Sequence, residues 1–284
     1  METRAATRSR SHPGRRVNAE EMSTTVEDVK GPDEIVPSDV SGGANTSHTI
    51  VVPALTTLLA HVPPGADQEA YERAALIDNV LGKETDGARK RTFRYLRELY
   101  LLRSDSVLFR ALRSLWDDDP EARPLLAGLS ALARDASFRA SAAAIVSSSP
   151  GGRLRSADLA AAVESVFPES YSDSTLAKVG RNAFSSWEQT GHLRPADRTE
   201  KVRVRAVCRP PNLAYAFLLG YLEGHRGEAL FDTLWAKVLD VPRSHLFELA
   251  FAASQRGFLD FRNAGGVVEV GFRDLLRPIE GKLT

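Results

Sequence analysis

Apolar residues recur at helical spacing through the middle of the chain, and strict alternation is confined to its last third. From Ile50 onward the pattern predicts a series of short helices. In "GARKRTFRYLRELYLLRSD", Phe93, Leu96, Leu99 and Tyr100 share one helical side. In "SVLFRALRSLWDD", Val107, Leu108, Leu112, Leu115 and Trp116 do the same. "DQEAYERAALIDNVLG" begins at an Asp cap and is expected to run to Gly82. "RPLLAGLSALARDASFRASAAAIVSSS" reads as two helices meeting near Asp135, closed by the Ser-rich, Pro-Gly-Gly turn at 147–152.

After Leu154 the order becomes short helix, turn, longer helix, strand. "SADLAAAVESVF" opens with a Ser156 cap, and Pro168 ends it. "STLAKVGRNAFSSWEQTGHL" starts at Ser172 or Ser174 and stops at Gly191. "KVRVRAV", Lys201 to Val207, then alternates with period two. The same order returns beyond residue 210. Three helical segments, "PPNLAYAFLLGYLEG", "GEALFDTLWAKVLDVP" and "SHLFELAFAASQRG", precede a hairpin pattern that turns at Gly265–Gly266.

The predicted fold is therefore mainly α. A disordered tail over 1–48 precedes a helical domain over 49–149 and two winged-helix-like units with short β-hairpins, over 150–209 and 210–284. The tail earns its reading from its Ser, Thr, Gly, Pro and charged residues and its dearth of large apolar ones. The Arg-rich N-terminus has no apolar stretch behind it and is not a secretory signal; Met22, which opens "MSTTVEDV", is an alternative start of translation.

Composition narrows the function classes. Lys plus Arg and Asp plus Glu are equal, at 37 each, so no global polycation points to nucleic acid and charge has to be counted by segment. Residues 150–209 carry a net charge of about +3 and residues 210–284 about −1. The lone Cys208 excludes an internal disulfide framework and a multi-cysteine zinc site. The longest apolar run, Leu213 to Leu222, is about half of what a bilayer needs, so no membrane partner is expected. These features suit the cytoplasm.

Candidate chemistry is concentrated in cations. The polar side of "STLAKVGRNAFSSWEQTGHL" offers Ser174, Thr175, Lys178, Arg181 and Asn182, which suit base edges and phosphates; the same face also suits an ordinary solvated helix. Alternation in "KVRVRAV" predicts that Lys201, Arg203 and Arg205 point one way, toward an anion, with Val202, Val204 and Ala206 toward the core. A charged edge strand that blocks aggregation would show the same pattern. Arg89, Lys90, Arg91 and Arg94 crowd another helix, where like charges at i and i+4 repel unless phosphates or acidic side chains lie against them. In the second unit, Ser244, His245, Glu248 and Gln255 suit structure or protein contact better than phosphate.

Enzyme signals are thin. "DDDPE", Asp117 to Glu121, reads as a helix-start cap rather than a metal site. Gly220, Gly224 and Gly227 lack the strand-turn-helix context of a dinucleotide loop. The sequence shows no phosphate loop, His-rich metal spacing or nucleophile elbow. Cys208 reads as a small residue at a strand end, although Arg205 and Arg209 stand close in sequence. No catalytic residue, metal or cofactor is expected.

Three blocks, "LIDNVLGKETDGARKRTFRYLRELYLLRSD", "LLAGLSALARDASFRASAAAIV" and "STLAKVGRNAFSSWEQTGHL", in this order and spacing, resemble the BrxA family of bacterial BREX phage-defence systems. The resemblance covers roughly residues 68–207 and carries no catalytic signature. It implies a mainly helical, non-enzymatic protein that binds double-stranded DNA beside other defence-system proteins. The polar N-terminal extension departs from the family's pattern, in keeping with a start at Met22 or a lineage-specific tail. A protein–protein adaptor without DNA contact and a transcriptional regulator are the competing expectations.

Overall fold

Helices begin where short polar side chains can accept the free amides of a first turn. In a computed structural model, which describes residues 32–277, Asp67 accepts from Ala70 N and starts the helix Gln68–Leu76. The elements run α1 (Val52–His61), α2 (Gln68–Leu76), α3 (Asp86–Tyr100), α4 (Val107–Trp116), α5 (Arg123–Arg134) and α6 (Ala136–Ser147). Asp67, Thr85, Ser106 and Asp135 cap α2, α3, α4 and α6 respectively. The expected junction at Asp135 is present. Helix α2 stops six residues short of Gly82. Ile77 lies exposed, and Asn79 takes a left-handed φ of 50° while its side chain closes the turn onto Lys83.

The first unit comprises β1 (Arg153–Arg155), α7 (Ser156–Val166), α8 (Asp173–Gln189), β2 (Leu193–Pro195) and β3 (Glu200–Arg203). The cap position of α7 falls at Arg155, one residue before Ser156; Arg155 N donates to the Asp158 carboxylate. The strands form an antiparallel sheet in the order β1-β3-β2, with Arg153 and Arg194 both opposite Val202. The strand expected over 201–207 is paired only through Arg203, although Val204 N still donates to His192 O.

The second unit holds α9 (Pro210–Leu222), α10 (Leu234–Val238), α11 (Arg243–Gln255), the hairpin β4 (Asp260–Ala264) and β5 (Val267–Gly271), and the short α12 (Arg273–Leu276). The helix expected over "GEALFDTLWAKVLDVP" is broken into a 3-10 turn at Gly227–Asp232 and α10, which Thr233 caps. The hairpin turns at Gly265 and Gly266, both at positive φ, as its sequence predicts.

Helix α9 explains why the units are not separate bodies. It is apolar all round, and every residue from Pro211 to Gly220 is buried. It packs on α4, α5, α10 and α11. One connected apolar core consequently runs from Ile35 to Leu275, across the boundaries expected at 149 and 209. A smaller cluster of Ala136, Val163, Phe167 and Val179 lies between α6, α7 and α8.

Residues 32–48, expected to belong to a disordered tail, pack as a strap; residues 1–31 lie outside the described part. Its few apolar residues matter less than its polar anchors. The buried Glu34 carboxylate accepts from Ser106 Oγ and from the amides of Val107 and Leu108, at the start of α4. Gly42 N donates to Tyr171 Oη at 2.7 Å, and Asn45 N donates to the fully buried Asp135 at 2.6 Å. Gly43, at φ 116°, passes so close to Asp135 that a Cβ there would lie 2.6 Å from the carboxylate. Among the described residues no helix is long and apolar enough to cross a membrane.

Candidate nucleic-acid interface

Helix α8 is held by one apolar face and by Gly180. Of Leu176, Val179, Ala183, Phe184 and Trp187, whose helical spacing predicts one buried face, Val179, Ala183 and Trp187 are buried and Leu176 and Phe184 half-buried; Trp187 Nε1 donates to Ser141 Oγ at 2.8 Å. At Gly180 the helix crosses α7 closely. A Cβ there would stand 2.8 Å from Ala160 Cβ and still closer to the Ser156 carbonyl oxygen. Ser172 caps the N-terminus, accepting from Thr175 N.

On the opposite side Ser174, Lys178 and Arg181 are exposed at i, i+4 and i+7. Thr175 is half-buried, and Ser172 Oγ donates to its hydroxyl. Asn182, expected on the reading face, is instead engaged inward. Its amide donates to Asn45 O at 2.7 Å, while Asn45 Nδ2 reaches Val179 O at 3.4 Å. The strap has taken that position, because the turn at Ala44–Thr46 lies directly against α8.

The same turn packs against α3. His48 lies on the Tyr95 ring with centroids 4.5 Å apart. Burial holds its imidazole below the ordinary histidine range, and the charges of Lys83 and Arg91 act in the same direction. The strap thus touches both α3 and α8. Of the basic residues of α3, Lys90 and Arg94 pair along the helix with Asp86 and Glu98, at 2.8 and 3.7 Å, and Arg89 is half-buried. Arg91 is exposed and has no ion pair among the described residues.

Strand β3 reverses the predicted orientation. Lys201 and Arg203 point inward and are 9% and 2% exposed, while Val202 and Val204 are half-buried on the other side. Lys201 Nζ donates to Phe184 O at 2.8 Å, pairs with Glu188 at 2.8 Å, and sits 4.0 Å above the Phe184 ring. Arg203 donates to the carbonyls of Ile145 and Val204 and meets the Asp240 carboxylate at 2.9 Å. Long apolar stems let both cations lie beneath the sheet, and each head finds acceptors there. Arg205, past the paired strand, is exposed as expected.

The outer sheet face is nevertheless cationic, through residues that sequence reasoning passed over. Arg153 and Arg155 of β1 and Arg194 of β2 are exposed there, and Arg198 stands in the β2–β3 loop. Three-residue strands give too little alternation to reveal their faces. Arg153 and Arg155 converge on Glu200, whereas Arg194, Arg198, Arg205, Lys178 and Arg181 have no ion pair among the described residues.

Other candidates are structural. The acidic run at 117–121 joins elements: Asp117 pairs with Arg113 and Arg123, Asp118 with Arg256, and Asp119 and Glu121 with Arg209. Asp119 also caps the 3-10 turn at Pro120–Ala122. Among the described residues no three His, Cys, Asp or Glu side chains form a metal-holding group. Burial pushes the Cys208 thiol up to about 12, the opposite of activation. In the second unit His245 meets Glu248 at 2.8 Å, and Phe251 stands 58% exposed on α11.

No family model, curated protein or solved structure matches the chain.

Proposed function

We propose that the protein is a non-enzymatic, cytoplasmic double-stranded DNA-binding accessory protein of a BREX-type phage-defence system, and that its first unit works as a winged helix. In this reading α7 and α8 are the helix-turn-helix, α8 lies at the groove, and the β2–β3 loop is the wing. The observation that carries it is the exposed Ser174–Lys178–Arg181 stripe beyond a capped helix start, beside an outer sheet face bearing Arg153, Arg155 and Arg194. The three sequence blocks that resemble the BrxA family supply the biological setting. Lys201, Arg203 and Asn182 act as struts that fix α8 and the sheet, and Arg205 with Arg91 lies among the phosphate-contact candidates.

The test is duplex DNA binding across a salt series, with native protein and the K178A/R181A variant. The expected result is tight binding at low salt and a log–log salt slope that falls by roughly 2 in the variant. Absence of binding at low salt overturns the proposal. A protein–protein adaptor is the second reading, favoured by the exposed Phe251 on α11. That reading predicts no DNA retention at low salt and loss of partner binding in F251S.

A further inference from the structure

We infer that Arg153 and Arg155 form a phosphate-binding pair that the Glu200 carboxylate occupies in the free protein, so that Glu200 sets how readily the sheet takes up an anion. The inference rests on the DNA-binding reading above and deepens it.

The geometry is that of a filled anion site. Arg155 donates from Nε at 2.8 Å and Nη2 at 2.5 Å to Glu200 Oε1, and Arg153 donates from Nη1 at 3.0 Å to Oε2. Two guanidinium groups thus hold both oxygens of one carboxylate. The same forks suit two non-bridging oxygens of a phosphate. Both arginine side chains remain well exposed, whereas Glu200 is only 15% exposed between them. Hydrogen bonds from Arg153 and then Arg155 hold the Glu200 carboxyl below its ordinary range, so it stays an anion at any physiological pH.

Isolated exposed ion pairs contribute only about 0–1 kcal/mol, so folding stability alone is a modest return from this network. What it does supply is pre-organisation. Side chains that would otherwise sample many rotamers are held side by side on the outer sheet face. Asp197 adds a weaker contact to Arg153 at 3.5 Å, but its carboxylate is committed to the loop, accepting from Thr199 N and Glu200 N. Among the described residues the Glu200 carboxylate is tied by side-chain hydrogen bonds to the two arginines alone, so an anion that takes the arginines releases it. Arg194 lies opposite the same residue as Arg153, two strand spacings away or roughly 10 Å. Arg198 continues the row into the loop. A phosphate backbone tracking along this row would meet Glu200 as the carboxylate that holds both arginines, with Asp197 a lesser competitor at Arg153.

The experiment compares duplex binding across a salt series for native protein, E200Q, R153A/R155A and E200Q/R153A/R155A. E200Q is expected to bind severalfold more tightly at low salt, with a log–log slope steeper by about 1–2 as the arginines become available. The gain should vanish in the triple variant. In native protein, which needs no substitution, the Arg155 Nε–H resonance is expected to shift on adding duplex. If native protein binds but E200Q gives no gain, or the gain survives without the arginines, the inference is overturned while the DNA-binding reading stands. An Arg155 resonance unmoved by saturating duplex overturns it as well. If neither native protein nor E200Q binds duplex, both fail together.

Discussion

Replacing Asp240 by Asn tests whether the inward cation of β3 is a strut. Arg203 is 2% exposed, and Asp240 supplies the only carboxylate that meets it, at 2.9 Å, among the described residues. Asn is the right probe because Asp240 sits at φ 56°, a left-handed conformation that Asn tolerates better than Ala. The change removes charge and keeps shape. Removing one partner from a buried pair costs about 3–5 kcal/mol. Two features reduce that figure here. Arg203 keeps the carbonyls of Ile145 and Val204, and the Asp240 side chain is 20% exposed, so water can approach. The expected loss is about 2–3 kcal/mol. For a chain of this size that lowers the melting temperature by roughly 5–10 °C. Thermal unfolding by circular dichroism measures it, at about 0.05 and 0.5 M salt. A buried pair should lose equally at both, since screening acts mainly on exposed charges. A shift below about 2 °C, or one that disappears at high salt, would refute the strut reasoning. Adding R203M, which replaces the stranded cation by an apolar chain, should recover at least half of the loss.

Three further outcomes follow from buried groups and close approaches. Burial raises the Asp135 carboxyl to about 6, above its unfolded value, so this group's contribution to stability falls as pH rises from about 4 to 6; D135N should flatten that part of a stability–pH curve, by on the order of 2–3 kcal/mol. His192 has the opposite sign. It is fully buried, its Nε2–H donates to Val238 O at 2.8 Å and its Nδ1 accepts from Thr190 at 2.7 Å, and burial depresses it to about 3. Its contribution is therefore present above the unfolded value near 6.5 and is lost as pH falls toward 3, and its ring resonances should not titrate between pH 5 and 8. G180A should push α7 and α8 apart and lower stability by about 1–3 kcal/mol in denaturant unfolding, with a smaller effect at the open Gly87 position as the control.

The elements show where pattern suffices. α3, α4 and α6 were legible because each joins a capping residue to apolar residues at helical spacing, and α5 because a Pro in its first turn precedes such a stripe. The hairpin was legible because two glycines at positive φ sit between alternating strands. The exposed stripe of α8 followed from its buried one, so Ser174, Lys178 and Arg181 could be placed without coordinates. β1 and β2 could not, at three residues each. Nor could the strap, whose Glu34 and Asn45 meet partners 72 to 134 positions away and whose Gly43 packs on Asp135, contacts that no local pattern announces.

Local periodicity determined the helical character, the second hairpin and one face of α8, since each depends on neighbours within a few residues. Tertiary structure decided the rest. It made α9 the centre of one core, turned Lys201 and Arg203 inward, withdrew Asn182 and set Arg153, Arg155 and Arg194 on the outer face. Alternation along a strand says that residues divide between two faces; it does not say which face is buried. That choice belongs to the groups beneath the sheet, the accepting carbonyls of Phe184 and Ile145 and the carboxylates of Glu188 and Asp240, which only the folded chain brings together.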